Sequence, residues 1–109
     1  MRLAAGMLGL AECTAVIRYD YAASTISAKV ETQCDQALRN TEAALKQAGA
    51  GMKDIVRVHY LLSDRGDFPA CWPVLRKWFG DIRPAATMMQ ALLMKEEMKI
   101  EIEVTAHIL

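Results

Sequence analysis

The most regular hydrophobic pattern in the chain lies between residues 28 and 48. Apolar and small side chains recur there every three or four positions, which is the spacing of one face of an α-helix. Ser27 stands before the pattern as a candidate N-cap, and Glu31 lies near enough to the start to favour the helix dipole. Gly49 follows directly and can adopt the left-handed conformation that ends many helices. The pattern therefore predicts a first helix over residues 28–48.

A strand and a second helix are predicted in the middle of the chain. Residues 55–62 are rich in β-branched and aromatic side chains, and strict alternation would place these apolar side chains on one face: Val56, Val58, Tyr60 and Leu62. After a turn at residues 64–67, helical spacing predicts a helix from Phe68 that ends at Gly80. Pro73 predicts a bend or a late start. The buried side is predicted to carry Phe68, Cys71, Trp72, Leu75, Trp78 and Phe79.

Two strands are predicted at the end of the chain and one near its beginning. Residues 86–93 are apolar on both faces, residues 98–108 alternate between apolar and polar, and residues 94–97 form a predicted hairpin turn. Residues 13–18 are β-rich and lead into a loop. The order β-α-β-α-β-β predicts an α+β domain, with two helices on one face of a mixed sheet.

Residues 1–12 are atypical and leave more than one interpretation. Their short apolar run resembles the core of a signal peptide, although Glu12 stands where a lipoprotein cleavage box requires a small residue. A first strand interrupted by Gly6 and Gly9 is favoured, because the run is short; a misassigned start is the third alternative. Residues 1–109 are assigned to a single domain, the number expected for a chain of this length.

Charge and cysteine content exclude several classes of protein. The 13 Lys and Arg residues balance the 13 Asp and Glu residues, so no basic surplus is available for a nucleic-acid surface. The three cysteines lack the paired spacing of a disulfide framework or a metal site. No apolar run reaches the length of about 18 residues that a membrane span needs. We expect a cytoplasmic protein with no metal, no cofactor, no nucleic-acid partner and no membrane partner.

The pattern also predicts self-association. Two helices can cover one sheet face only, yet the strands at residues 55–61 and 86–93 carry apolar side chains on both faces. Each large side chain left in water would forfeit about 1.5–3 kcal/mol of burial. Packing of the second face against other copies of the chain removes that cost, and it would bring polar side chains such as Glu101 and His59 to the subunit interfaces.

Five short motifs run in order between residues 30 and 106: Gln33-x5-Arg39-Asn40-x3-Ala44-Leu45-x2-Ala48-Gly49, Asp54-Ile55-Val56, Asp64-x2-Asp67-Phe68, Phe79-Gly80-x2-Arg83-Pro84-Ala85 and Lys99-Ile100-Glu101-Ile102-Glu103. Together they resemble the RidA/YjgF family of reactive-intermediate deaminases, whose older members were labelled L-PSP endoribonucleases. The resemblance implies a chorismate-mutase-like homotrimer with a small-molecule cleft between each pair of subunits. It also implies hydrolysis of 2-imino or enamino acids to 2-keto acids and ammonia.

That chemistry needs a guanidinium to hold the substrate carboxylate and an acid/base group to orient water. By the resemblance, Glu101 is the catalytic glutamate. The substrate-binding positions fall on Thr14, Tyr19, Trp72, Ala86 and Met88. Ala86 replaces the family arginine, Met88 a cysteine, Trp72 an asparagine, and Thr14 the serine of a Ser-Gly pair. Tyr19, a loop aromatic near the first strand, is expected either at the cleft mouth or as a packing anchor.

The alanine at position 86 leaves three hypotheses open: a deaminase that retains activity, a trimeric relative that binds a different ligand without deaminating it, and a trimer without a ligand. Arg18, Arg57 and Arg83 are candidate substitutes for the missing cation, although surface arginines are ordinarily solvated. If the strand already runs at Arg83, alternation would turn that side chain away from the face of Ala86.

Overall fold

A computed structural model describes residues 2–5, 10–15, 19–20 and 25–107, with side chains described for residues 27–107. Two helices pack against one face of a sheet. The elements are β1 (Arg2–Ala5), β2 (Leu10–Ala15), β3 (Tyr19–Asp20), β4 (Thr25–Ile26), α1 (Val30–Gln47), β5 (Ile55–Leu62), α2 (Phe68–Phe79), β6 (Ala85–Gln90) and β7 (Ile100–His107). Short 3₁₀ turns at Met52–Asp54 and Arg65–Asp67 precede β5 and α2.

Among the described residues, the main sheet has five strands in the order β1-β2-β7-β5-β6, and β3 pairs with β4 in a separate two-stranded ribbon. β5 and β6 run parallel, as a crossover through α2 requires, and the other neighbours are antiparallel. The predicted order is present as β2-α1-β5-α2-β6-β7, which confirms the α+β class and the mixed sheet. Of the strand predicted over residues 13–18, residues 16–18 lie outside the described part, as do Gly6 and Gly9.

The predicted hairpin between the last two strands is wrong. β5 lies between β6 and β7, because β6 completes the crossover on one edge of β5 while β7 takes the other edge. β6 also ends at Gln90, earlier than predicted, and Leu92 beyond it is 94% exposed. The apolar character of residues 91–93 therefore does not reflect sheet packing within one chain.

The core lies between the helices and the covered face of the sheet. From α1 it takes the fully buried Leu38 and Leu45, and from α2 it takes Leu75 and Phe79. In β7 the alternation holds as predicted, with four buried side chains on the covered face: Ile100, Ile102, Val104 and Ala106. Glu101, Glu103 and Thr105 point to the face that no helix covers.

A β-bulge changes the predicted alternation at the start of β5. The pairing register with β7 shifts between Ile55 and Arg57, so that Ile55 is buried and Val56 is 48% exposed. An extra residue at this point turns the side chains before it to the opposite face. The prediction that Val56 shares the core face with Val58 is therefore wrong, whereas the rest of that face is as predicted.

The helix ends lie within two residues of the predicted ones, and the first N-cap differs from the prediction. Gly49 has a φ of +79°, the left-handed conformation expected after α1. Lys29 occupies the N-cap position in place of Ser27, whose Oγ accepts a hydrogen bond from the Lys29 backbone N–H at 3.2 Å. α2 begins at Phe68 and continues through Pro73.

One buried polar side chain connects α1 to the start of β7. Gln33 is fully buried, and its Nε2 donates to the backbone oxygens of Ser27 at 2.7 Å and Glu97 at 2.8 Å. Its Oε1 accepts from the backbone N–H of Lys99 at 2.9 Å. These bonds hold the segment that leads into β7, two residues before Glu101.

Candidate functional site

A cavity of about 610 Å³ opens between α2 and the β5–β6 edge of the sheet. β5 and β6 supply one wall and α2 supplies the other, while the turn after α2 closes the end where β6 begins. The lining residues are Tyr60, Phe68, Trp72, Leu75, Arg76, Phe79, Gly80, Arg83, Pro84, Ala86 and Met88. This size is within the range of about 300–1,000 Å³ that is typical of small-molecule sites.

Three of the residues predicted from the resemblance meet in this cavity: Trp72, Ala86 and Met88. Ala86 pairs with Val58 and Met88 pairs with Tyr60 in the parallel register, so both side chains point to the helix-covered face. Trp72 reaches the cavity from α2 and is 51% exposed, which corrects the prediction that it belongs to the buried side of that helix. Phe68, 37% exposed, departs from the same prediction in the same way.

Glu101 lies on the other face of the sheet. It pairs with Leu61 in the β5–β7 register and is half-buried, between the fully buried side chains of Ile100 and Ile102. Successive side chains of a strand alternate between faces, so a single copy of the chain does not bring Glu101 to the cavity of Ala86. One site could contain both residues only if two copies contributed them.

For the two remaining predicted residues, Thr14 and Tyr19, the structure describes the backbone alone. Thr14 lies in β2, where its Cα partner in β7 is Glu103. Tyr19 pairs with Ile26 in the two-stranded ribbon. Their proposed contacts with substrate therefore stay predictions.

The described lining of the cavity contains two arginines, Arg76 and Arg83, of which only Arg83 was a candidate from the sequence. Arg76 lies one helical turn after Trp72, and this i,i+4 spacing on α2 was the available signal. Arg83 was expected to point away from Ala86 only if the strand already ran at that residue, but β6 begins at Ala85 and Arg83 belongs to the preceding turn. Its φ of +50° is uncommon for a residue with a Cβ, and the residue lines the cavity.

Of the other candidate cations, Arg57 does not line this cavity. Arg57 is exposed and pairs with Ala85 and Thr105 in the sheet register. Arg18 lies outside the described residues.

The described lining of the cavity is positive and largely apolar. It includes Arg76 and Arg83 but no Asp or Glu side chain, and neither arginine forms an ion pair with another described residue. Burial raises the pKa of Tyr60, so its hydroxyl stays neutral and can donate a hydrogen bond. The arrangement therefore suits a small anion with an apolar body.

The described residues offer little for metal or thiol chemistry. No three His, Cys, Asp or Glu side chains among them cluster as metal ligands. The Cys34 and Cys71 side chains are both buried. Their mutual hydrogen bond, together with burial, raises the pKa of the Cys34 thiol, whereas the same hydrogen bond lowers the pKa of Cys71. His59 Nε2 is buried and has no described partner on the uncovered face. No helix in the described ranges is both long and apolar enough to cross a bilayer.

Comparison with known proteins agrees with the geometry of the fold. The family model of endoribonuclease L-PSP matches residues 4–108. The chain belongs to this family. It is 34% identical over 76 residues to the 3-aminoacrylate deaminase RutC of Acinetobacter baylyi, a match that covers 70% of this chain and 60% of the relative. It is 33% identical over 81 residues to the chloroplastic Reactive Intermediate Deaminase A of Arabidopsis thaliana, covering 74% of this chain and 43% of the relative.

The L-PSP fold is also found in solved structures. A member of the YjgF/YER057c/UK114 family from Mycobacterium tuberculosis superposes with a TM-score of 0.82 at 27% identity, covering 94% of this chain and 82% of that one. These findings confirm the RidA/YjgF resemblance. The matched segments span less than two thirds of the curated relatives' own length, 65% in the case of the RutC family protein of Pyrococcus abyssi.

Proposed function

We propose that this L-PSP family chain is a small-molecule cleft protein that hydrolyses 2-imino or enamino acids. Water adds to the C=N carbon, the C–N bond breaks, and a 2-keto acid and ammonia leave. The proposal is supported by the relatives named as deaminases and by the cavity at Trp72, Ala86 and Met88, the positions at which the resemblance implies substrate contact. No cofactor is needed for this reaction.

The placement of Glu101 carries the proposal that the site lies between copies. Glu101 is on the uncovered face, whereas Ala86 and Met88 are on the covered face. A homotrimer would bring the uncovered face of one copy to the cavity of the next. There, the Glu101 carboxylate would take a proton from the attacking water and pass it to the imine nitrogen. It would then carry the hydroxyl proton of the resulting carbinolamine to the same nitrogen, which leaves as ammonia as the C–N bond breaks.

Oligomeric state is the first test of this arrangement. Sedimentation velocity at several concentrations should find a species of three times the 12.1 kDa of one chain. The uncovered face carries both Leu61 and the partly exposed Met89, so Leu61→Lys should shift the equilibrium toward monomer. A folded monomer of the wild-type chain at working concentration would refute the shared cleft.

The reaction is tested by trapping the imine. Semicarbazide competes with hydrolysis for 2-iminobutanoate, so an active protein should lower the yield of trapped imine. Glu101→Gln should abolish that effect, because the amide keeps the shape of the side chain but cannot accept a proton. Glu42→Gln is the matched control, because Glu42 is a partly exposed glutamate of α1 outside the cavity, and it should behave like the wild-type chain. Equal activity of Glu101→Gln and wild type would refute the assigned role.

A non-deaminating relative, which binds or senses a ligand, is the second candidate function. It is favoured by the uncharged side chains of Trp72, Ala86 and Met88, which make this wall of the cavity apolar. If this function is correct, the wild-type chain will not accelerate imine loss, and Ala86→Arg should create measurable activity. Wild-type activity with 2-iminobutanoate would decide for the deaminase.

The proposed compartment is the cytoplasm, and the proposed partners are other copies of the chain and the small molecule alone. Cys34 and Cys71, the cysteines whose side chains are described, are free thiols, as is usual in a reducing compartment. Neither a nucleic-acid partner nor a membrane partner is part of the proposal, because the balanced charge supplies no basic surplus.

A further inference from the structure

Two arginines are held at the same end of the cavity by one turn. The backbone N–H of Gly80 donates to the oxygen of Arg76 at 2.9 Å, and the N–H of Arg83 donates to the oxygen of Phe79 at 3.1 Å. Arg76 lies in the last turn of α2, and Arg83 lies just before β6. Both side chains line the cavity and are solvent-accessible, and no carboxylate in the described chain pairs with them. This end of the cavity therefore holds two uncompensated positive charges.

The opposite end of the cavity is apolar. Phe68 begins α2, eight residues before Arg76, which is about 12 Å along the helix axis. The rings of Phe68 and Trp72 lie 5.8 Å apart at 47°. A second cavity of about 510 Å³ continues from here and shares Phe68 and Met88 with the first. Along β6, Ala86 is nearer the two arginines, and Met88 lies about 7 Å further toward Phe68.

We propose that Arg76 and Arg83 bind the carboxylate of an organic acid whose large apolar side chain, aromatic in the best case, extends along Met88 toward Phe68 and Trp72. This inference rests on the proposed function, since it names the class of imino acid that the cleft would accept. In this arrangement the carboxylate is bound by the arginines at the end of α2 and in the turn that follows, and not by the residue at position 86.

The small side chain of Ala86 is the reason for proposing an acid with a large apolar side chain. An alanine there leaves volume that a longer side chain would occupy, and the described lining offers apolar contacts along the rest of the cavity. A short acid held by the arginines would leave Phe68 and Trp72 in water. A bulky apolar side chain would cover them and gain the free energy of that burial.

The position of the two arginines also has a simpler explanation, and the test must distinguish it from carboxylate binding. Cations near the last turn of a helix interact favourably with its dipole, and the same partial negative charge would repel a carboxylate. Arginines that serve only the helix end would change the stability of the fold without changing the affinity for an acid.

Binding of probes that lack an imine tests the inference without any chemical reaction. Isothermal titration of the full chain would compare 3-phenylpropanoate with propanoate, which lacks the ring, and with 3-phenylpropanol, which lacks the charge. We expect 3-phenylpropanoate to bind at least 10-fold more tightly than either, because it alone uses both ends of the cavity. Equal affinity for the acid and the alcohol would overturn the inference.

Substitutions then locate the two ends of the probe. Arg76→Gln and Arg83→Gln should each weaken binding of the acid about 10–100-fold and leave the alcohol unchanged. Trp72→Ala should weaken 3-phenylpropanoate but not propanoate. Arg39→Gln is the matched control, because Arg39 is an exposed arginine of α1 that pairs with Asp35. Thermal unfolding of each variant would show that the fold is retained, and unchanged acid binding in both cavity variants would overturn the inference.

The inference and the proposed function can fail separately. Arginine-dependent binding of 3-phenylpropanoate in a protein that does not hydrolyse imines would support the inference and reject the deaminase. Fast hydrolysis of 2-iminobutanoate that survives both arginine substitutions would support the deaminase and reject the inference.

Discussion

Replacement of Gln33 should test whether one buried amide holds the start of β7 in place. The side chain makes three hydrogen bonds, to the oxygens of Ser27 and Glu97 and from the N–H of Lys99, at 2.7, 2.8 and 2.9 Å. Gln33→Leu is similar in size but leaves all three backbone groups without that partner. At about 1–1.5 kcal/mol for each partly buried group, we expect a loss of about 3–4.5 kcal/mol of unfolding free energy.

Gln33→Glu separates the hydrogen bonds from the shape of the side chain. A carboxylate keeps the bond from the Lys99 N–H but places negative charge against the carbonyl oxygens of Ser27 and Glu97. This environment and burial should raise the pKa of the new carboxyl above its unfolded value of about 4.3. The destabilisation relative to wild type should therefore be largest at neutral pH and should diminish as the pH falls toward about 4.

Urea denaturation followed by circular dichroism gives the unfolding free energies, and protein concentration must be constant because self-association would add to apparent stability. Gln36→Leu is the control: Gln36 is a half-buried glutamine of the same helix that donates to Asn40 at 3.0 Å. We expect it to cost less than about 1 kcal/mol. A loss below about 1 kcal/mol in Gln33→Leu, or a Gln33→Glu penalty that does not change with pH, would refute the reasoning.

Three further predictions concern stability and can be measured in the same way. Gly49→Ala should lower the unfolding free energy by about 1–2 kcal/mol, because Gly49 has a φ of +79°. Gly51 is extended and likewise has open space where a Cβ would lie, so Gly51→Ala should not lower the unfolding free energy. Equal effects of the two substitutions would contradict this explanation. Burial raises the pKa of Asp35, but hydrogen bonds from Trp78 and two cations outweigh burial and lower the pKa below 3.8. The ionised carboxylate therefore stabilises the wild-type fold at pH 7, and Asp35→Asn should remove that stability. The wild-type chain should lose the same stability as the pH falls below about 4 and the carboxylate is protonated. Leu38→Ala should cost about 2–5 kcal/mol, because Leu38 is fully buried in the core, and a loss under about 1 kcal/mol would show that the site collapses around the smaller side chain.

Local sequence patterns were sufficient to predict the elements in which the burial of each residue depends on its near neighbours in the chain. The helical spacing before Gly49 and the alternation from Ile100 to Ala106 are confirmed, since an amphipathic helix and a half-covered strand repeat their burial at fixed intervals. The bulge at residues 55–57 escaped prediction because its cause is the pairing partner in β7, which no local pattern contains.

The candidate site was predicted only in part, for the same physical reason. The resemblance identified Trp72, Ala86 and Met88, which the structure brings together, and Glu101, which lies on the other face. Arg76 was not identified, because its role depends on the cavity that α2 forms with β6, and sequence spacing alone relates it only to its own helix.

The sequence by itself therefore determined both helices, the order β-α-β-α-β-β and the family, because periodic burial and short motifs are properties of neighbouring residues. Only the tertiary structure decided that β5 separates β6 from β7, and that the cations at the end of α2 share a cavity with Ala86. Strand order and cavity walls are made by residues far apart in the chain. Their positions follow from how the helices and strands pack together, which is not encoded in any one segment.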